Sequence, residues 1–205
     1  MTRRHWLYLS GAVVLLSGGL DSAVALAATG AADTITVDYG QSHRREIDAA
    51  AEIADHYNVR NTVITIGGLR FDSALTGLHS IPAGRATAPD ATYVPGRNTI
   101  LIALAASRAE SIGADRVVIG CNKDDAAAYP DCRPNYLDAY RAVLRAGLNA
   151  EVNICAPLIN HTKRDIAEMA RHLGVPIGLT WSCYRGGEQP CGRCGACHLR
   201  REAGA

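Results

Sequence analysis

No stretch of the 205-residue chain holds the roughly 20 consecutive apolar residues that a membrane-crossing helix needs. Charge of one sign is lacking too: the net charge is +1, so electrostatics alone singles out neither nucleic acid nor a membrane surface as partner. A small molecule is the default ligand. No lysine follows the glycines of Leu16–Ser22, which excludes a Walker-type loop, and Gly-x-Gly-x-x-Gly is absent, which excludes the common dinucleotide fingerprint. An export signal is only mimicked. Arg3-Arg4 precede the apolar Trp6–Leu16, but cleavage beyond it would remove the glycine turn described next. Met1–Ser10 therefore reads as a short extension, and the expected location is the cytoplasm. Low-complexity tracts and internal repeats are also missing, and the length suits one domain with at most a small appendage.

What is present starts with Leu-Ser-Gly-Gly-Leu-Asp-Ser at Leu16–Ser22. It follows the apolar run Ala12–Leu15 and precedes the helix-compatible Ala23–Ala27. A strand, a small-residue turn and a helix start present bare backbone N–H groups to an anion at the partly positive end of the helix. The turn predicts a phosphate cradle. The plainer alternative is a tight strand-to-helix turn capped by Asp or Ser.

Apolar β-branched runs alternate with Ala-rich stretches along the whole chain, which predicts an α/β fold: a doubly wound, mainly parallel five-stranded sheet with helices on both faces. Strands are expected at Ala12–Leu16, Asp33–Val37, Asn61–Ile66, Arg116–Gly120 and Glu151–Cys155. Helices are expected at Ala23–Ala28, His43–Tyr57, Thr99–Ile112, Asn135–Ala146 and Lys163–Leu173. Such a sheet binds ligands beyond the carboxyl ends of its strands, where Ser17–Ser22, Asp38–Gln41 and Cys121–Asp125 fall. Gly67–Pro95 has no clean period and reads as a long loop over that site.

Seven cysteines without a credible export signal point to metal or catalysis more than to disulfides. Cys183, Cys191, Cys194 and Cys197 have the short spacings that wrap a tetrahedral Zn²⁺, with Gly186, Gly187, Gly192 and Gly195 supplying turns. The expectation is one structural zinc in a closed four-sulfur shell. An iron–sulfur cluster fits the same spacing and stays open as the alternative. The chain thus divides into an extension (1–10), a sheet domain carrying the phosphate turn (11–180) and a metal-binding segment (181–205).

The turn Ser-Gly-Gly-x-Asp-Ser resembles the pyrophosphate-binding loop of the adenine-nucleotide alpha hydrolase, or PP-loop ATP pyrophosphatase, superfamily, whose sheet is Rossmann-like. More of the chain resembles one family within it. Leu16–Leu26, Asp38-Tyr39-Gly40-Gln41 with His43 and Glu46, Val94–Asn98, Tyr129–Arg133, Ser182-Cys183-Tyr184, the last three cysteines and Arg200 stand in the order of the 7-cyano-7-deazaguanine synthase family, the QueC type. The resemblance implies an ATP-dependent ligase that turns the carboxylate of 7-carboxy-7-deazaguanine into a nitrile with ammonia. A carboxyl adenylate is captured as the amide, whose oxygen is then adenylated and lost, for use in queuosine and related deazapurines of tRNA or DNA. The expected partners are those small molecules and a second copy of the chain, with no direct nucleic-acid contact.

The resemblance also assigns residues. ATP is implied to lie on Leu16, Ser17, Gly18, Gly19, Leu20, Asp21, Ser22, Ala23, Val24, Ala25 and Leu26, with Asp21 helping to place Mg²⁺. Asp21, Ser22, Arg97, Asp131 and Arg133 are implied in catalysis or substrate holding. Read by themselves, Arg97 follows the turn Pro95-Gly96 with Asn98 as expected cap and offers a planar fork to a phosphate or carboxylate. Asp131 and Arg133 sit in a proline-bounded turn that suits either substrate or solvent, and Tyr129 suits base stacking or the core equally. His43 and Glu46, three apart near a helix start, are both candidates to face the site, although Glu46 reads first as a favourable acidic residue in the helix's opening turn. Lys163 is set to offset phosphate charge or to be solvated, and Cys132 has no covalent role because adenylation needs no protein nucleophile. Ala126-Ala127-Ala128 replace the aromatic, Ser and Gly usual in the family, and the interval from Cys183 to Cys191 is a residue short. Two rival functions remain: a sulfur-transferring tRNA modification enzyme with persulfide on Cys121 or Cys132, and a non-catalytic nucleotide- or nucleic-acid-binding module.

Overall fold

The computed structural model describes residues 11–67, 71–77, 79–83 and 89–205. The expected extension 1–10 lies outside the described residues. Five strands, β1 (Ala12–Leu15), β2 (Asp33–Asp38), β3 (Arg60–Thr65), β4 (Arg116–Val118) and β5 (Asn153–Cys155), form one sheet in the order β3-β2-β1-β4-β5. Every pairing is parallel. The order reverses between β1 and β4, which opens a crevice beyond their carboxyl ends.

Alternation along β1 builds the two faces. Ala12 and Val14 pack with α1 (Leu20–Thr29), α2 (Arg45–Tyr57) and α7 (Lys163–Leu173) through Val24, Ile53 and Ile166. Val13 and Leu15 meet α4 (Arg97–Ile112) and α6 (Pro134–Gly147) through Ile102, Ala106 and Leu137. The period of two along the strand therefore decides which helix layer each residue touches. Inside β2, Thr34 and Thr36 are buried, and each hydroxyl donates to a backbone carbonyl, of Arg60 at 3.0 Å and Leu16 at 2.8 Å. Their burial thus leaves no hydroxyl unsatisfied.

The expected elements are present with shifted ends. β4 stops at Val118 rather than Gly120, because Gly120 turns onto the start of α1, where a Cβ would lie 3.1 Å from the Ser22 nitrogen. α1 starts at Leu20 rather than Ala23, and α4 at Arg97 rather than Thr99. Three helices were not foreseen: α3 (Pro89–Thr92), α5 (Lys123–Ala128) and α8 (Gly195–Ala203). α3 and a single 3-10 turn at Ala74–Thr76 lie within the expected loop 67–95, part of which is outside the described residues.

Candidate active site

Beyond the crevice between β1 and β4 lies a cavity of ≈ 400 Å³. Its floor is the turn after β1. The Ser22 hydroxyl accepts from the Ser17 nitrogen at 3.2 Å and donates to the Gly19 carbonyl at 3.0 Å, and the Ser17 hydroxyl accepts from the Gly19 nitrogen at 3.3 Å. The two serines thus brace the loop. Gly19 precedes α1 without any side-chain cap, so the first-turn N–H groups stay available to a ligand. Gly18 has φ +82°, and a Cβ there would come within 2.1 Å of the Glu46 carbonyl oxygen. Close packing on α2 by itself requires this glycine.

The residues of the expected ATP span divide between cavity and core. Leu16, Ser17, Gly19, Leu20, Asp21 and Ser22 face the cavity. Gly18 serves the α2 contact, and Ala23, Val24, Ala25 and Leu26 are core residues of α1.

One wall concentrates charge. Lys163 Nζ donates to Asp21 Oδ2 and stands 3.8 Å from Asp125 Oδ1. Fully buried Asn122 donates to both carboxylates, at 3.2 Å to Asp21 and 2.6 Å to Asp125, while its carbonyl oxygen caps α5 by accepting from Asp124 and Asp125 N–H. Burial pushes the Asp125 carboxyl up to about 6, with Lys163 pulling down and Asp21 pushing up. Burial works against the Lys163 ammonium, but Asp21 and Asp125 outweigh it and raise its pKa. Asp21 Oδ1 is buried without a partner among the described residues. An oxygen acceptor left over beside a second carboxylate is a donor set that fits a hard divalent cation.

The opposite wall is assembled from β2, α2 and α4. The Gln41 side chain accepts from Tyr39 N at 2.9 Å and donates to the Val37 carbonyl at 3.2 Å, which fixes the turn after β2. Arg97 Nη1 donates to the Tyr39 hydroxyl at 3.3 Å, and no described carboxylate pairs with it. Burial opposes the Arg97 charge, the Tyr39 phenol favours it, and the net pKa is raised. His43, 2% exposed, lies with Nε2 3.1 Å from Glu46 Oε2, and both residues reach the cavity.

Two residues expected at the substrate, Asp131 and Arg133, do not line the cavity. Asp131 accepts through its carboxylate from the Asn98 nitrogen at 3.0 Å and through its carbonyl from the Asn98 side chain at 3.0 Å. It secures the first turn of α4 and hence the backbone of Arg97. Asn98 is accordingly the second helical residue rather than the cap; Gly96, at φ +63°, precedes the helix. Arg133 is exposed, and its Nε reaches only the Ala126 carbonyl, at 3.4 Å. Tyr129 does line the cavity, stacked at 6.4 Å on Tyr93.

The C-terminal segment closes the site. Cys183, Cys191, Cys194 and Cys197 place their sulfurs within 4.8 Å of one another, a group that can hold a metal ion. Trp181 N donates to the Gly18 carbonyl at 2.8 Å, which ties this segment to the phosphate turn. Gly186, φ +59°, packs where a Cβ would be 2.6 Å from the His43 Cα. Arg200 on α8 donates to Ile177, Thr180 and Ser182, so α8 becomes a wall of the cavity rather than a loose tail.

A parallel sheet of order 3-2-1-4-5 with Ser-Gly-Gly-x-Asp-Ser at its switch point defines the PP-loop class of adenine-nucleotide-binding folds. The fold is similar to that of NMN synthetase from Francisella tularensis, with TM-score 0.50 and 21% identity over 90% of this chain and 71% of that one. The chain belongs to the QueC family: the profile described as "Queuosine biosynthesis protein QueC" matches residues 11–205. It is 44% identical to the 7-cyano-7-deazaguanine synthase of Synechococcus sp. strain CC9311, over 95% of this chain and 92% of that protein. The same-named protein of Thermoplasma acidophilum is 44% identical, over 92% and 85%.

Proposed function

We propose that the protein is a 7-cyano-7-deazaguanine synthase: an ATP-dependent ligase that adenylates 7-carboxy-7-deazaguanine, exchanges the activated oxygen for ammonia nitrogen, and repeats activation on the amide to leave the nitrile. The observation that carries this reading is one cavity with an uncapped helix start and two carboxylates on one wall and, on the other, an arginine without a carboxylate partner among the described residues. The first suits a triphosphate with its cation, the second an organic acid, so nucleotide and acid lie within one enclosure. Activation is needed because a carboxylate oxygen leaves badly and AMP leaves well.

In this reading Ser17, Gly19 and the first turn of α1 hold the phosphates, with Ser22 bracing the turn. Asp21 and Asp125 would hold Mg²⁺, which neutralises triphosphate charge, and Lys163 adds a fixed cation. Arg97 holds the carboxylate, Asp131 acts through the α4 start, and Tyr129 offers a ring to the deazapurine. We take the four cysteines as a structural zinc site: tetrahedral Zn–S bonds of about 2.3 Å place sulfurs about 3.8 Å apart, and the pairs at 3.5 Å and 4.0 Å match a single ion. The resemblance further supports a cytoplasmic homodimer without direct nucleic-acid contact, and among the described residues no helix is long and apolar enough to cross a membrane.

Sulfur transfer is disfavoured. Cys121 and Cys132 are each about 95% buried, and hydrogen bonding to Cys132, then burial, push the Cys121 thiol far from the thiolate that a persulfide carrier needs. The test is incubation of purified protein with ATP, Mg²⁺, ammonia and the carboxy-deazaguanine, followed by mass measurement of the base and assay of AMP. Nitrile with acid-dependent AMP is expected; ATP binding without acid-dependent AMP overturns the enzyme reading.

A further inference from the structure

The cavity holds a carboxylate that the nucleotide and acid sites leave unused. Asp21 and Asp125 share Lys163, whereas Glu46, 17% exposed, has no lysine or arginine partner among the described residues. Its backbone is fixed because Gly18 packs directly on its carbonyl oxygen, so the side chain projects from a rigid first turn of α2. Its side-chain partner among the described residues is His43, whose Nε2 lies 3.1 Å from Glu46 Oε2, while Nδ1 of the same ring is buried without a partner. No lysine ammonium or guanidinium among the described residues compensates the carboxylate. Around it stand aromatic rings: Tyr184 meets the His43 ring edge-on at 6.0 Å, and Tyr39, held by Arg97, lines the same wall.

We propose that Glu46, positioned by His43, is the ammonium subsite and the base of the ligation. This rests on the ligase reading above and names the place of its second substrate. A small cation in an enclosure is recognised by an uncompensated carboxylate with ring faces nearby. Ammonium bound there gives one proton to the Glu46 carboxylate. Its lone pair then forms the C–N bond to the adenylated carbonyl carbon, the C–O bond breaks with its electron pair leaving on AMP, and the proton shed by the new amide nitrogen ends on the AMP phosphate. Arg97 donates to the Tyr39 hydroxyl, and Glu46 forms no ion pair with it among the described residues.

The test compares two nucleophiles on the holoenzyme. Hydroxylamine is already uncharged near neutral pH and captures acyl adenylates as hydroxamates, so it needs neither a cation site nor a base. Glu46→Gln is expected to lower kcat/KM for ammonia about 100-fold, the low end of general-base effects, while hydroxamate formation stays within about threefold of wild type. His43→Gln is expected to lower kcat/KM for ammonia by a smaller factor, through a raised KM, again sparing hydroxylamine. Equal losses with both nucleophiles, or unchanged ammonia kinetics, overturn the subsite while leaving the ligase standing. A wild-type enzyme that makes no acid-dependent AMP overturns the parent reading and the subsite together.

Discussion

The two walls of the cavity handle charge in opposite ways. On the β1/β4 side, Asp21, Asp125, Asn122 and Lys163 form a network closed but for Asp21 Oδ1, in which each carboxylate has a fixed partner. On the β2/α4 side, Arg97 and Glu46 both line the cavity, and among the described residues neither forms an ion pair with a lysine, arginine or carboxylate side chain. A closed network is rigid before any ligand arrives, and it suits triphosphate, whose charge and geometry are constant. The open wall is completed only by its ligands, an acid for Arg97 and a cation for Glu46. Gly18 joins the two, since its carbonyl receives Trp181 N–H and its Cα abuts α2.

Breaking the joint gives the largest effect. Gly18→Ala adds a Cβ 2.1 Å from the Glu46 carbonyl oxygen at a φ of +82°. Left-handed strain and overpacking together are expected to cost about 3 kcal/mol or more, a drop in Tm of about 6–12 °C for a chain this size, with activity lost for both substrates. Thermal unfolding and single-turnover AMP release check this. A stable, active variant would mean that the walls move independently.

Asp21→Asn tests the closed wall alone. It keeps the shape but removes the charge that holds Lys163, and activity is expected to fall about 100- to 1,000-fold, the range for deleting one preorganised electrostatic contact. The loss should appear in ATP-dependent steps with both ammonia and hydroxylamine. Arg97→Lys tests the open wall: a point charge replaces the planar fork, and the KM for the carboxy-deazaguanine is expected to rise about tenfold with that for ATP unchanged. Steady-state kinetics with each substrate varied separates the two, and a shift in ATP KM instead would move Arg97 to the phosphate side.

The same contrast explains what was legible in the sequence. The closed wall begins in a contiguous motif, and the local signals around it are strong: α7 matches its expected bounds because Thr162 and Asp165 form a reciprocal cap and Gly174 ends the helix at φ +67°. The sheet followed from β-branched runs. The open wall is built from residues far apart in the chain, so Glu46 looked like an ordinary acidic residue of a first turn, and nothing local shows that the Gly18 turn aims it at the cavity. For Asp131 likewise the motif is contiguous, whereas the partner that holds its carboxylate, Asn98, lies on another helix and is not legible locally. α5 escaped because it is only six residues long, although Asn122 before Lys-Asp-Asp carried a readable cap signal. α8 was hidden by the cysteines, whose spacing spoke for metal while Gly195–Ala203 also had a helix to form.

Arg133 gives the smallest expected effect and the sharpest check on where the open wall ends. Family resemblance puts it with the substrate, yet its side chain is exposed, lines none of the cavity and makes a single long bond to Ala126. A surface side chain of this kind is worth within about 0.5 kcal/mol of stability, so Arg133→Ala is expected to keep Tm within about 2 °C and kcat/KM for the acid within about twofold. A tenfold or larger loss in kcat/KM with Tm unchanged would show that the Tyr129–Arg133 turn swings onto the cavity when the acid binds. The open wall would then extend to Arg133, and ligand-driven completion, already argued for Arg97 and Glu46, would include movement of backbone as well as pairing of charge.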